Sequence, residues 1–268
     1  MSHRPTIELF AIGTELVLGR IQDTNSFWMS QQIAALGGEV RRITLLPDDK
    51  PTLVTALRES LARGTDLVIA CGGLGPTPDD LTVEAVAEVA GCELVEDEAT
   101  LLDYVRRRRL SGVEEVSPGL RKMATVPVVA RVFQNPAGWA PCLLVPIGEQ
   151  ALVVLPGPPR EMEAVFTLHV ADMIAARSAN KTAALRVRVD MFESECSPVM
   201  QEVMSRCPGT YLKAYVAMRT SPGELLPVDI VASGASEEEA RRVLREALQL
   251  FTELATARGK QIAYDDSG

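Results

Sequence analysis

The sequence predicts an α/β chain with a mostly parallel sheet, followed by a small α+β unit. Three observations lead to this class. Strand and helix patterns alternate three times between Thr6 and Ala90, which is typical of a right-handed parallel sheet. The run from Leu67 to Cys71 is apolar throughout, as in strands buried on both faces. The element order then changes at the polar segment 178–182, so we predict domains at 1–178 and 181–262.

The first half shows these elements most clearly. Helical spacing of apolar residues follows each predicted strand, and Gly37-Gly38 ends the first long helix as a C-cap. Lys50-Pro51 opens the second helix with a proline in its first turn. The predicted strands are Thr6–Ile12, Val40–Leu46 and Leu67–Cys71, and the predicted helices are Ser26–Leu36, one from Lys50 and one following Leu81.

The next stretch is less regular. Two apolar runs flank Gly148-Glu149, which predicts a hairpin. Leu155 to Met162 repeats the strand, Pro/Gly turn and helix pattern, and its helix continues to about Arg177. The remaining predictions are helices at Asp97–Leu110 and Pro118–Met123, an extended segment at Val126–Phe133, and hairpin strands at Cys142–Ile147 and Ala151–Leu155.

Beyond residue 181 the order is strand-helix-strand-strand-helix. The predicted elements are strand Ala184–Asp190, a helix opened by Ser197-Pro198 through Met204, strands Tyr211–Met218 and Leu225–Ala232 around a turn at 221–223, and a helix at Glu237–Ala257 capped by Ser236. This order is similar to that of a KH-like fold. The G-x-x-G loop with which KH domains clamp RNA is missing, which disfavours RNA binding.

Composition excludes several classes of function. The net charge is −9 and no large basic block is present, which disfavours nucleic-acid binding. The five cysteines form no C-x-x-C pair, so we expect reduced thiols and a cytoplasmic protein. With two histidines, any metal is expected to be a hard cation on carboxylates. No signal peptide or membrane-spanning apolar run is recognisable.

The stretch from Gly72 to Asp80 carries the strongest functional signal. Gly72, Gly73 and Gly75 follow a buried strand, and Asp79 and Asp80 lie where the next helix begins. Glycines allow positive φ and close approach of the backbone to an anion, and N–H groups at a helix start favour phosphate. We expect both acids in the first helical turn and interpret the stretch as a phosphate or metal site. The alternative is a turn with an Asp N-cap.

Other turns of similar composition follow the remaining predicted strands. Parallel strands bring their carboxyl ends to one edge of the sheet, so Asp48 and Asp80 are expected to face one glycine-lined pocket. A divalent cation between these acids and the phosphates would relieve their repulsion. For Asp48 and Asp23, helix N-capping is the alternative. The turns are Gly13-Thr14-Glu15 with Asp23-Thr24-Asn25, Pro47-Asp48-Asp49, and Asn135 to Pro141 with Pro156-Gly157.

The basic run Arg106 to Arg109 ends the helix predicted from Asp97. The favoured interpretation is a solvated helix face whose charges complement the helix dipole. The alternative is an arm that faces phosphate.

Four motifs together resemble the CinA (competence/damage-inducible protein A) family. They span residues 5 to about 175 in the family's order, and residues 181–260 resemble the KH-like domain that follows in this family. The motifs are Gly13-x-Glu15-Leu16…Gly19…Asp23-Thr24-Asn25, Gly72-Gly73-Leu74-Gly75-Pro76-Thr77-x-Asp79-Asp80-x-Thr82, Asn135-Pro-x-Gly138-x-Ala140-Pro141 and Leu155-Pro156-Gly157-x-Pro159-x-Glu161-Met162.

The resemblance implies a three-layer α/β/α domain of the molybdopterin-binding superfamily, shared with MogA, MoaB and MoeA. It implies a metal-dependent nucleotide pyrophosphatase acting on ADP-ribose or FAD-like dinucleotides. Asp48 and Asp80 are the expected catalytic residues, and both are expected to bind metal together with Asp79. The expected substrate- and phosphate-binding residues are Gly13, Glu15, Asp23, Asn25, Gly72, Gly73, Gly75, Thr77, Asn135, Gly138, Pro156 and Gly157.

Further expectations concern cofactors and partners. The cofactor is expected to be a divalent ion (Mg²⁺, Mn²⁺ or Co²⁺), with K⁺ as a further candidate. The partners are a small dinucleotide or pterin, without nucleic acid or membrane, and the resemblance implies a homo-oligomer, with a dimer favoured. The family's C-terminal deamidase domain is expected to be missing. Two alternatives stay open: a pterin-binding or pterin-adenylylating protein of molybdenum-cofactor synthesis, and a catalytically silent nucleotide-binding regulatory module.

Overall fold

The computed structural model describes residues 4–219, 221 and 223–264. The chain divides into two compact units. The larger contains Pro5–Ala34 and Gly38–Arg177, and the smaller contains Ala35–Gly37 and the described residues from Ser178 onward. The division at Ser178 lies at the start of the segment predicted as a linker.

The larger unit alternates strands and helices before it ends in a hairpin and a helix. Its elements are β1 (Thr6–Ile12), α1 (Thr14–Val17), α2 (Asn25–Ala35), β2 (Glu39–Leu46), α3 (Lys50–Ala62), β3 (Leu67–Cys71), α4 (Thr82–Ala90), β4 (Leu94–Glu96), α5 (Glu98–Arg108), α6 (Pro118–Met123), β5 (Thr125–Pro127), β6 (Arg131–Phe133), β7 (Cys142–Ile147), β8 (Gln150–Leu155), α7 (Pro159–Val165) and α8 (Ala171–Arg177). A five-residue π-helical segment, Phe166–Val170, joins α7 to α8.

The central sheet has the order β2-β1-β3-β8-β7-β6. The first four strands run parallel, and β7 and β6 add antiparallel pairs at one side. All residues of β1 and β3 are buried, which explains the unbroken apolar sequence of β3. The two polar residues of β1, Thr6 and Glu8, are buried with hydrogen-bond partners. The predicted class, an α/β fold with a mostly parallel sheet, is confirmed.

Helices cover both faces of this sheet. On one face Phe10, Val68 and Val154 pack with Leu57 of α3 and Val86 of α4. On the other face Ile7 of β1, Ile33 of α2 and Ile174 of α8 converge around Gly38, so closely that a Cβ there would lie 2.7 to 3.2 Å from their methyl groups. The architecture is therefore α/β/α.

The smaller unit is α+β. It contains β9 (Lys181–Val189), α9 (Glu193–Arg206), β10 (Thr210–Ala214), β11 (Leu226–Gly234), α10 (Glu237–Thr256) and β12 (Ile262–Tyr264). Its antiparallel sheet has the order β10-β11-β9-β12 and its own apolar core against α9 and α10. The strand β12 follows the predicted elements and was missed. The KH-like assignment stays a prediction.

Three predicted elements need correction. The helix predicted from Ser197-Pro198 begins at Glu193, because Glu195 accepts a hydrogen bond from Phe192 N (2.8 Å) and fixes an earlier start. The extended segment Val126–Phe133 is two short strands, β5 on β4 and β6 on β7. The strand Tyr211–Met218 ends at Ala214 and continues as a 3₁₀ turn. The turn predicted at 221–223 includes Pro222, which lies outside the described residues.

Candidate functional site

A cavity of about 590 Å³ lies where β1, β3 and β8 end. The structure thus brings together the strand ends that the sequence predicts to converge. The predicted site residues in its wall are Gly13, Glu15, Asp23, Asn25, Asp48, Gly72, Gly73, Gly75, Asp79, Asp80, Pro156 and Gly157. Three others, Thr77, Asn135 and Gly138, are not in the wall and instead contact acids that are.

Asp48 is held at the cavity by a neighbouring threonine. Its Oδ2 accepts hydrogen bonds from Thr14 N (2.8 Å) and Thr14 Oγ1 (3.0 Å). The N-cap of α3 is the next residue, Asp49, whose side chain accepts from Thr52 N (3.0 Å). The alternative interpretation of Asp48 as a helix cap is therefore wrong. Adjacent aspartates divide two roles, with one at the helix and the other at the cavity.

The sequence predicts Asp79 and Asp80 in the first turn of α4. In the structure both residues precede this helix, which begins at Thr82. Asp80 Oδ2 accepts from Thr77 N (2.9 Å) and Thr77 Oγ1 (2.6 Å), which closes a tight loop before the helix. The same hydroxyl also contacts Asp79 and, as the main cause, lowers the pKa of that carboxyl. Leu81 occupies the N-cap position without a side-chain cap. Asp80 is therefore placed by a loop, and Thr77 is its positioning residue.

The glycine turn has the backbone conformation that its sequence predicts. Gly72 has φ 111° and Gly73 has φ 66°, values that strongly favour glycine. In the described structure no acceptor is bonded to the N–H groups of Gly73, Leu74 and Gly75, whereas Gly72 N donates to Leu155 O (3.0 Å). Three consecutive amides in the cavity wall are thus available to a ligand.

Three other glycines make room for carboxylates. A Cβ on Gly13 would lie 2.5 Å from Glu15 Oε1, and one on Gly75 would lie 2.5 Å from Asp80 Oδ2. A Cβ on Gly138 would overlap the Glu161 carboxylate. Each of these carboxylates therefore occupies the space that a side chain at the glycine would take, so a larger residue at any of the three positions would displace it.

At Gly73, where the sequence predicts close approach of the backbone to an anion, a Cβ would meet a different neighbour. The structure directs that Cβ at Thr82 Oγ1, inside the protein. Thr82 Oγ1 in turn donates to Gly72 O (2.8 Å). An alanine at position 73 would therefore act first on the turn and on Thr82.

Glu161 is the site residue that sequence reasoning left out of its candidates. It lines the cavity, and its Oε2 accepts from Asn135 Nδ2 (2.8 Å). Asn135 is buried and also bonds Ala140 O and Ala137 N, so its amide is used within the protein. The sequence did contain a feature that could have identified Glu161, because this acid lies in the first turn of a helix that follows a Pro-Gly turn at a strand end.

The segment from Asp23 to Asn25 forms the opposite wall. Asp23 Oδ1 accepts from Ser26 N (3.0 Å) at the start of α2, so capping and cavity lining coincide in this residue. Asn25 Nδ2 donates to Gly157 O (2.7 Å) and links two loops, while its Oδ1 is buried without a described partner. Burial raises the pKa of the Cys71 thiol to about 12, so this thiol remains protonated and unreactive at neutral pH.

The charge of the wall is wholly negative. Its charged residues are six acids and no base: Glu15, Asp23, Asp48, Asp79, Asp80 and Glu161. In the described part of the chain, no Lys, Arg or His forms an ion pair with any of them. Among the same residues, no group of three or more His, Cys, Asp or Glu side chains is arranged to hold a metal ion.

The arginine run lies elsewhere. None of Arg106 to Arg109 lines the cavity. The guanidinium groups of Arg107 and Arg108 stack on Trp139 at 4.0 and 4.6 Å from the ring centre, and Arg107 also pairs with Asp103 (3.3 Å). These contacts favour a structural role over a phosphate-facing arm.

Residues 8–176 match the family model described as "probable molybdopterin binding domain". The chain belongs to this family. Its CinA-like members are recognisable among the relatives, which confirms the resemblance seen in the motifs. Within the described residues, no helix has both the length and the apolar character required to cross a membrane.

Three relatives illustrate the extent of the match. A protein of Pyrobaculum arsenaticum is 36% identical over 253 residues, covering 93% of this chain and 94% of its own. A CinA-like protein of Mycobacterium tuberculosis is 32% identical over 91% of this chain and 56% of its own length, so this chain spans about half of that relative. The solved structure of CinA from Thermoplasma acidophilum, a protein of unknown function, is 34% identical with a TM-score of 0.59 and covers 63% of this chain and 98% of its own.

Proposed function

We propose that this member of the molybdopterin-binding domain family hydrolyses the pyrophosphate bond of a dinucleotide such as ADP-ribose or FAD in a metal-dependent reaction. One observation carries the proposal. The cavity combines three free backbone N–H groups with six carboxylates and no basic side chain. The amides suit phosphate oxygens, whereas the acids alone would repel them.

A divalent cation reconciles these two features. Mg²⁺ in particular is commonly held by one or two carboxylates together with phosphate oxygens and water, and it needs no dedicated protein cage. The oxygen donors of the wall suit such an ion without a group of three protein ligands, and Asp48 and Asp80 are its first candidate ligands, with Asp79 as a further candidate. When bound, the ion would polarise a phosphoryl oxygen and lower the pKa of water.

The protein's own residues supply orientation. The amides of Gly73, Leu74 and Gly75 would bind the phosphates, and the threonines at positions 14 and 77 hold Asp48 and Asp80 in place. Glu161, fixed by Asn135, is a further acceptor in the wall and a candidate base for the attacking water.

The proposal is tested by incubating the purified protein with ADP-ribose or FAD and with Mg²⁺, Mn²⁺ or Co²⁺, with and without K⁺. Release of AMP that depends on the divalent ion and stops with a chelator is the expected result. No AMP from either substrate with any of these ions would contradict it.

A second candidate rests on the family description. A pterin-binding or pterin-adenylylating protein would use the same phosphate cradle, and its signature would be adenylylated pterin as the sole reactive substrate. Binding of nucleotides without turnover of any substrate would instead identify a silent regulatory module.

The assembly is a separate proposal. We propose a homodimer on the basis of the family resemblance. Light scattering at micromolar protein concentration should give twice the chain mass of 29.0 kDa. A monomer mass would contradict the proposal without bearing on the chemistry.

A further inference from the structure

A second, smaller cavity of about 240 Å³ lies against the same glycine turn. It shares Gly73, Leu74, Gly75 and Met123 with the large cavity, so a ligand in it would touch the turn whose amides are proposed to bind phosphate. Its size is below that of a typical site for a drug-sized ligand and suits a single ring system.

The wall of this second cavity has an apolar part and a charged part. Leu74, Val83, Leu94 and Met123 supply apolar contact area, on which the apolar faces of a heterocycle can pack. The charged part consists of Glu84 and Lys122, one acid and one base, in contrast to the wholly acidic large cavity.

Glu84 has one carboxylate oxygen without a partner. Its Oε1 lies 3.7 Å from Lys122 Nζ. Its Oε2 is buried, and no donor among the described residues bonds to it. Because Oε2 has almost no exposed surface, Oε1 is the carboxylate oxygen that a ligand in the cavity can reach.

Lys122 places a donor beside this acceptor. Its ammonium has three N–H groups, and its described contacts are the hydrogen bond to Asp80 O and the ion pair with Glu84. One N–H therefore remains for a ligand. The pair offers an acceptor and a donor side by side in the wall of the cavity.

We propose that the second cavity binds the amino-substituted nitrogen heterocycle of the substrate. Glu84 accepts from the exocyclic amino group, and Lys122 donates to an adjacent ring nitrogen. Adenine has this donor-acceptor edge, and so does the aminopyrimidine ring of a pterin. The assignment rests on the proposed function only in taking this ring to be part of the molecule whose phosphates occupy the large cavity.

The test compares AMP with IMP, in which a carbonyl replaces the amino group, by calorimetric binding. Wild type is expected to bind AMP at least about tenfold more tightly than IMP, since a site built for a donor rejects the analogue that lacks it. Glu84→Gln should reduce this preference to about threefold or less, because an amide can also donate to the carbonyl. Glu88→Gln, an exposed acid on the same helix that pairs with Lys50, should keep the wild-type preference.

A second variant and a second probe complete the test. Lys122→Met should weaken AMP binding as well, and it serves if Glu84→Gln fails to fold. If neopterin, rather than AMP, loses affinity in both variants, the ring is a pterin and the assignment of the cavity holds. An AMP-to-IMP ratio and a neopterin affinity that neither variant changes would overturn the proposal.

Binding and turnover separate this inference from the proposed function. Wild type that releases no AMP from ADP-ribose, yet binds AMP through Glu84, would refute the hydrolase and leave the ring site. Normal hydrolysis of ADP-ribose together with an unchanged AMP-to-IMP preference in Glu84→Gln would leave the proposed hydrolase and refute the ring site.

Discussion

One buried acid near the amino ends of the central strands and two acids at their carboxyl ends are held by different kinds of donor. Near the amino ends of β1 and β3, Glu8 is 3% exposed and is bound by Arg63 through Nε (2.9 Å) and Nη2 (2.6 Å). At the carboxyl ends, the hydrogen bonds that Asp48 and Asp80 receive from described residues come from threonine amides and hydroxyls. The carboxylate of Glu8 is thus paired with a cation, whereas those of Asp48 and Asp80 are hydrogen-bonded by neutral groups.

This difference separates structural acids from candidate functional ones. A buried carboxylate that serves stability needs a cation of its own, because desolvation is otherwise unfavourable. A carboxylate held in place by neutral donors keeps its negative charge available to a metal ion or ligand. We therefore expect loss of Glu8 to affect folding and loss of Asp80 to affect activity.

Asp80→Asn should show the largest effect. The amide can still accept from Thr77, so the loop should keep its shape, but the charge needed for a hard cation is lost. We expect the rate of AMP release to fall roughly hundredfold or more, the scale seen when one electrostatic stabiliser is removed. The melting temperature should change little.

Asp48→Asn should behave like Asp80→Asn, and its neighbour provides the matched control. Asp49→Asn keeps a capping side chain, because asparagine caps helices about as well as aspartate. Activity should stay close to wild type in that variant. Near-normal turnover and an unchanged metal requirement in Asp80→Asn would remove the residue from the proposed metal site.

Glu8→Gln should show the converse pattern. Arg63 would lose the nearer of its two acidic partners and keep Glu59 (3.8 Å), and it is partly exposed and can be hydrated. We expect the free energy of unfolding to fall by about 2 kcal/mol. Denaturant titration measures this, and the activity per folded molecule should not change. A loss of activity without a loss of stability would contradict the division between the two ends.

Gly138→Ala should show a smaller effect on activity. Its Cβ would displace the carboxylate of Glu161, whereas the backbone there needs no positive φ. We expect a loss of about tenfold in the rate, within the range attributed to one general acid-base or positioning group. Gly148→Ala, in a hairpin turn outside the cavity, strains a backbone with φ 60° and therefore tests whether a general loss of stability reduces activity. An equal loss in both variants would argue against a role for Glu161.

The pH dependence of stability should show the smallest effect. The hydrogen bond from Arg63 holds the pKa of Glu8 below its ordinary value in the folded state. A lowered folded pKa stabilises the protein above the unfolded pKa, about 4.3 for Glu, and this contribution is lost as the pH falls through the folded value. The stability difference between wild type and Glu8→Gln should therefore be constant near neutrality and shrink in acid. A difference that grows in acid would contradict this sign.

Most of the fold could be predicted because its signals are local. The run Leu67–Cys71 and the segment Pro118–Met123 have the predicted bounds, since continuous burial and a proline at a helix start are visible in a short window. The start of α9 could not be read in the same way. There the acids of the first turn outweigh the proline signal at Pro198.

The site could be predicted as a meeting of strand ends but not in its internal contacts. The motif glycines were expected to admit phosphate, whereas Gly13, Gly75 and Gly138 make room for carboxylates. Such a contact joins residues that only the tertiary structure brings together, as with Gly138 and Glu161. The second cavity was not foreseen for the same reason, because Glu84 and Lys122 are distant in the sequence.

The π-helical segment has a consequence for how this chain can vary in length. Met162, Phe166, Val170 and Ile174 are buried at intervals of four residues. In a regular α-helix each such step turns about 40° beyond a full circle, so three steps would turn the last side chain about 120° away. The wider π turn absorbs the surplus residue and keeps all four against the sheet. A one-residue deletion within 166–170 would remove the surplus residue, and a regular α-helix would then keep all four side chains against the sheet, whereas the same deletion within α8 would rotate the residues beyond it by about 100°. One-residue length differences among relatives within this helix should therefore fall in the π-helical segment and not in α7 or α8.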